Sequence, residues 1–201
     1  MKLQLTRKSA SFFAVAVLTL ATAGPALAQA DDDDSDANVK TVVALTITNT
    51  QALDFGTLVV NSTLTGDTTV TIDPLIDAGG SITSSAPTEV FPLSGHSEAR
   101  FTVTGDPGEK VQVNITGSPV TLLRGAGAVA ADQMNLTIAI GNVDVYDTTT
   151  ELLGVGAGVG ANQFLMSAGD ATLEVGGVLT VRDDNNFGDF TGTFNIEVTY
   201  V

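Results

Sequence analysis

The chain has 201 residues, with 8 Lys and Arg against 23 Asp and Glu, one His, no Cys and no Trp. Zero Cys excludes disulfides, thiolate metal centres, iron–sulfur clusters and cysteine nucleophiles together, and a single His leaves almost no capacity for metal or acid/base chemistry near neutral pH. So acidic a surface repels phosphate backbones, which excludes nucleic acid as a partner, and the composition points away from an enzyme.

Lys2, Arg7 and Lys8 open the chain and are followed by the apolar run 10–23, then Gly24-Pro25, then the small-residue sites Ala26-Leu27-Ala28 and Ala28-Gln29-Ala30. This is the tripartite pattern of a cleaved secretory signal peptide over residues 1–30. The run breaks at Gly24-Pro25, short of the roughly 18 apolar residues that a membrane span needs. No later stretch is long and apolar enough to span either. The mature chain is therefore expected to be exported, with the periplasm in transit and the cell surface or medium as destination. Every acid lies at or after Asp31, and three of the 8 basic residues leave with the signal, so the mature net charge is 5 − 23 = −18.

Residues 31–38 (DDDDSDAN) are an acidic tract that can bury nothing and should stay solvated. From 39 to 201 the texture changes to Val-, Thr-, Ile-, Leu- and Phe-rich runs separated by Gly, Asp, Asn and Pro, read as one domain. The runs are 39–49, 53–60, 68–73, 99–104, 111–116, 119–123, 134–140, 171–181 with a break at Gly176-Gly177, and 193–201. β-Branched residues alternating with period two, as in 99–103 and 111–115, predict short antiparallel strands. Gly105-Asp106-Pro107-Gly108 is a turn between two of them, with Pro fixing φ and Gly supplying φ > 0. Residues 126–134 lack a helical stripe, and the Gly-rich stretch 154–162 reads as a loop. The pattern predicts an all-β sandwich.

The chemical motifs are sparse. Gly154 to Gly160 lacks the G-x-G-x-x-G register and has no strand-to-helix context, so it is no dinucleotide loop. His96 with Ser94 or Ser97 could be drawn as part of a triad, but no G-x-S-x-G elbow is present and His96 reads as a loop histidine. Asp183-Asp184-Asn185-Asn186 and Asp31 to Asp34 offer oxygens suited to calcium, yet neither follows the D-x-[DN]-x-[DN]-G pattern. A turn and a solvated tail account for them. No catalytic, cofactor or metal residue is assigned.

The C-terminus is the most specific segment. Phe194, Ile196, Val198 and Tyr200 occupy one face of the last strand, Tyr200 is penultimate, and Gly188 is fourteenth from the end. With this spacing, residues 188–201 resemble the C-terminal strand of chaperone–usher pilus subunits. A wider resemblance rests on Leu53-Asp54-Phe55-Gly56-Thr57, Thr71-Ile72-Asp73-Pro74, Ala99 to Gly105, Val175 to Val181 and Gly192-Thr193-Phe194. These look like a bacterial secreted family catalogued as domain of unknown function 4402, itself similar to spore coat protein U and fimbrial subunits. The resemblance implies an immunoglobulin-like, pilin-like sandwich at the cell surface with no catalytic residues. It also implies donor-strand assembly, in which an apolar groove beside the C-terminal strand is filled by a segment of the next subunit, removing an exposed edge.

Under that implication Gly188, Phe194, Ile196, Val198 and Tyr200 form the assembly-groove strand, and Val39, Thr41, Val43, Leu45 and Ile47 the candidate donor. Residues 39–49 equally fit the subunit's own first strand, because the L-x-F-G segment of the related families follows that strand. The expected function is a non-catalytic structural subunit that assembles with copies of itself or homologous subunits, served by a periplasmic chaperone and an outer-membrane usher. The alternative is a monomeric secreted or periplasmic binding or adhesion module, with calcium as its only candidate cofactor.

Overall fold

The computed structural model describes residues 39–201 apart from 62–63, 75–79, 127–128, 148–149 and 155–157. The signal peptide, the acidic tract 31–38 and residues 155–157 of the Gly-rich stretch lie outside the described residues. Contacts divide the chain at Val42, and the compact body is Val43–Val201.

The body is an all-β, antiparallel β-sandwich. Its strands are β1 (Thr46–Gln51), β2 (Thr57–Val60), β3 (Thr68–Asp73), β4 (Ser81–Ser84), β5 (Val90–Ser94), β6 (Ala99–Thr104), β7 (Lys110–Thr116), β8 (Val120–Leu123), β9 (Gln133–Thr137), β10 (Val143–Asp147), β11 (Thr150–Glu151), β12 (Gln163–Leu165), β13 (Asp170–Val175), β14 (Gly177–Val181) and β15 (Asn195–Tyr200). Single 3-10 turns at Ala130–Asp132 and Ile140–Asn142 are the only helical pieces among the described residues. One sheet has the order β1-β6-β13-β10-β11, a second β4-β3-β14-β9-β8, and smaller sheets join β12-β7-β15 and β2-β5. The break at Gly176 lets one run serve two sheets, β13 pairing with β6 and β10 while β14 pairs with β3 and β9.

Alternation decides the core. Val103, Ala171, Leu173, Val143 and Val145 point inward from the first sheet, and Val70, Leu136, Leu179 and Val181 from the second; with Val111, Val113, Phe164 and Met166 they form one buried cluster. The other face of the first sheet is polar, but one end of it is closed off. Glu98 and Glu174 are fully buried there. Both offer Oε1 to the same Arg100 Nη2, at 3.2 and 2.5 Å, and the Tyr146 hydroxyl donates to Glu174 Oε1 at 2.6 Å. Arg100 and Glu174 are direct cross-strand partners, so the ladder register itself brings them together.

The sequence pattern places most strands, with four differences, the first being that the run 53–60 is strand only from Thr57, with an isolated bridge at Asp54. The run 39–49 becomes strand only from Thr46; residues 39–45 carry no ladder bonds. Pairing in β9 ends at Thr137, so the run 134–140 stops three residues earlier than its composition suggests. Strands β4, β5, β10, β11 and β12 arise where no run was read, each held by a partner distant in the chain or across a short turn.

Candidate functional site

The Leu53-Asp54-Phe55-Gly56 segment shows why those residue types stand together. Asp54 exchanges two backbone bonds with Ser97, both 2.8 Å, and its carboxylate accepts the Gly56 N–H at 2.7 Å. Gly56 has φ +67° and a Cβ there would overlap the Ser94 carbonyl oxygen, so only Gly fits. The turn it makes ends the pairing with β6 and sends the chain into β2 against β5. Leu53 and Phe55 are left packed against the core from the outside.

At the other end of the chain, residues 182–194 form a second wall. Asn185 accepts the Arg182 N–H at 2.7 Å and donates to the Ala131 and Gln133 carbonyls at 3.3 and 2.8 Å, while the Asn186 amide donates to Asp132 Oδ1 at 2.8 Å. Arg182 Nη2 pairs with Asp184 at 2.5 Å. Of the candidate calcium oxygens, Asp184, Asn185 and Asn186 are thus engaged in holding this loop, and Asp31 to Asp34 lie outside the described residues. The Asn186 amide, and then the Arg124 guanidinium, hold the Asp132 carboxyl below its ordinary range. Gly188, at φ +139°, lies against Arg124, whose Cδ would stand 2.9 Å from a Cβ there. Thr191 then bridges to Leu123, and Phe194 turns inward to meet Phe101 edge-on at 6.3 Å.

Between these walls runs an apolar groove of about 860 Å³, with Leu53, Phe55, Leu58, Leu122, Phe187 and Phe194 among its lining. Arg182, Asp183, Asp184 and Asp189 border it, so a greasy floor has a charged rim.

The groove continues as a seam between two strands. β1 has β6 as its ladder partner and β15 has β7, and the two are not paired with each other. They run in opposite directions. At one end the Tyr200 hydroxyl donates to the Val43 carbonyl at 2.8 Å and accepts the Asp106 N–H at 2.6 Å; at the other, Leu53 and Phe55 face Phe194 across the groove. Ile47 on β1 and Ile196, Val198 and Tyr200 on β15 are half-buried against the core, while Asn195, Glu197 and Thr199 are exposed. Two strand edges thus lie side by side with apolar side chains beneath them.

Of the residues singled out by sequence, Gly188 and Phe194 line the groove, whereas Ile196, Val198 and Tyr200 lie along the seam. Val39, Thr41 and Val43 are exposed, Leu45 packs on the core, and Ile47 pairs with Val103 in the chain's own sheet. Sequence reading did not single out Phe187, although a lone aromatic between Asn186 and Gly188 is out of keeping with a polar turn. Beside His96, the Ser97 hydroxyl donates to the Ala52 carbonyl at 3.1 Å, and Glu98 turns to Arg100. Among the described residues no group of three or more His, Cys, Asp or Glu is placed to hold a metal ion, and no helix is long and apolar enough to cross a membrane.

Among known proteins, the model of the family described as Domain of unknown function (DUF4402) matches residues 45–200. No curated protein and no solved structure matches the chain.

Proposed function

The chain belongs to the DUF4402 domain family, and on that premise we propose that it is an exported, non-catalytic structural subunit, pilin-like in its assembly by strand addition. The observation that carries this reading is the seam: adjacent edges of β1 and β15, unpaired with each other, over half-buried apolar side chains and continuous with an apolar groove. An extended segment laid into it would satisfy the outward backbone groups and put alternate side chains into the groove. A second copy offers such a segment in the residues up to Val42, where Val39 and Val42 are exposed. In this reading the signal peptide delivers the chain to the periplasm, a chaperone covers the edge before assembly, and an outer-membrane usher passes subunits to the surface.

The purified exported protein is expected to give SDS-resistant ladders and thin fibres in negative stain. A protein that remains monomeric at every concentration would overturn the reading.

One observation favours a second reading. Residues Thr46–Gln51 already pair with β6 of the same chain, and Leu45 packs on the core, so the domain could act as a self-sufficient monomeric binding or adhesion module. Deletion of residues 31–42 separates the two: a subunit loses assembly and keeps its fold, whereas a self-closed module loses neither fold nor oligomeric state.

A further inference from the structure

Glu98 and Glu174 carry more buried negative charge than their partner neutralises. Both are fully buried, and the cation they share is Arg100, whose Nη2 donates to Oε1 of each. Two carboxylates against one guanidinium leave a surplus of one negative charge inside the protein. The second oxygen of each carboxylate, Glu98 Oε2 and Glu174 Oε2, is buried with no hydrogen-bond partner among the described residues, and so is Arg100 Nε. Buried polar atoms are nearly always partnered, and a buried charge without a counter-charge is among the costliest things a fold can hold. One water would bond to all three atoms, donating to both Oε2 oxygens and accepting from Nε, but it would leave the charge in place. A cation meets the charge as well.

We propose that Glu98 Oε2 and Glu174 Oε2 hold a hard cation of the calcium or sodium type, for which carboxylate and carbonyl oxygens are the fitting ligands. Gly80 brings a third oxygen. A Cβ on Gly80 would stand 2.6 Å from Glu98 Oε2 and 3.3 Å from the Asp73 carbonyl oxygen, so the glycine lets the main chain close over the carboxylate and sets a carbonyl beside it. A water on the ion supplies the acceptor for Arg100 Nε, and Arg100, a third exposed, marks the way in. Glu98 and Glu174 belong to the first sheet, whereas Asp73 ends β3 and Gly80 precedes β4 of the second. An ion here therefore ties the two large sheets together. None of these residues lines the groove, so the site stands apart from strand addition.

The test uses the full exported chain, stripped of ions and held at fixed ionic strength with tetramethylammonium chloride. Calcium and sodium are titrated separately into thermal melts, and terbium, a luminescent ion that also takes oxygen ligands, is followed by tyrosine excitation. The chain has two tyrosines and no Trp, and the Tyr146 hydroxyl donates to Glu174 Oε1 at 2.6 Å, so terbium in the site is lit by Tyr146. Calcium or sodium is expected to raise the melting temperature saturably, by about 5 °C or more at a hundredfold excess over its Kd, and whichever does so names the ion. Terbium emission is expected to appear and to vanish in Tyr146→Phe. Glu98→Gln, which removes the surplus charge with little change of shape, is expected to lose both the rise and the emission. A melt that ignores both ions would overturn the proposal, leaving water or a proton at the two oxygens. So would a full rise kept by Glu98→Gln, or emission kept by Tyr146→Phe, either of which puts the ion on other acids of the chain.

Discussion

The hydroxyl of Tyr200, on the penultimate residue, donates to the carbonyl of Val43, the first residue of the compact body, so the two ends of the domain are joined by one 2.8 Å hydrogen bond. The same oxygen accepts the Asp106 N–H at 2.6 Å from the turn between β6 and β7. Tyr200 thus anchors the Val43 carbonyl and closes the seam between β1 and β15 at that end.

Tyr200→Phe keeps the ring and removes the hydroxyl. It leaves the Asp106 N–H without its partner, and is expected to lower stability by about 1–3 kcal/mol in chemical denaturation. Amide exchange should also rise at Val43 to Leu45 while β13 and β14 are unchanged.

Gly56→Ala should cost more. The substitution forces a non-Gly residue to φ +67° and pushes a Cβ into the Ser94 carbonyl, so a loss of about 2 kcal/mol or more is expected. The turn that separates β1 from β2 should open with it, seen as lost protection of the Asp54 and Ser97 amides.

The buried Glu98–Arg100–Glu174 group predicts a large asymmetry. Arg100→Met leaves two fully buried carboxylates without their shared cation. Breaking a buried pair this way costs about 3–5 kcal/mol, and because the Arg100 side chain is a third exposed the lower end of that range is expected. Tyr146→Phe, which removes one bond to Glu174 while Arg100 stays on the same oxygen, should cost about 1.5 kcal/mol, the lower end for a bond to a charged group. Urea midpoints of the two variants give the comparison.

Acid should loosen the groove's outer wall. Asp132 is held below its ordinary value of 3.8 by the Asn186 amide and by Arg124. A carboxyl depressed in the folded state contributes stability above its unfolded value, and that contribution is lost as pH falls through the lower folded value. The Asn186 side-chain amide resonance should therefore hold its shift above pH 3.8 and move below it, and Asp132→Asn should abolish that step.

How far the sequence foretold this depends on range. Strict alternation in 99–104, 111–116 and 195–200 is a local property, and those strands formed where their pattern put them. Residues 39–45 are as rich in Val as a strand and put Val39, Val43 and Leu45 on one face, yet carry no ladder bonds, because a strand needs a partner and pattern alone does not supply one. β12 has three residues, too few for a period, and exists because Phe164 finds Val111. Burial of Glu174 was illegible for the same reason, its cation lying 74 residues away in the chain. In the site, the alternating face of β15 and the Gly188 spacing could be read from spacing and from family resemblance. Phe187 and the position of the groove could not, since they depend on how the 182–194 wall meets Leu53 and Phe55 across the sandwich.

The central claim is that the seam between β1 and β15 takes an added strand. Its most direct measurement is amide exchange in the chain lacking residues 31–42, with and without a synthetic peptide of residues 37–45. The account predicts that the peptide protects the outward-facing amides of β15, at least tenfold in exchange rate, and raises the melting temperature. Unchanged exchange across residues 195–200 at saturating peptide would contradict it.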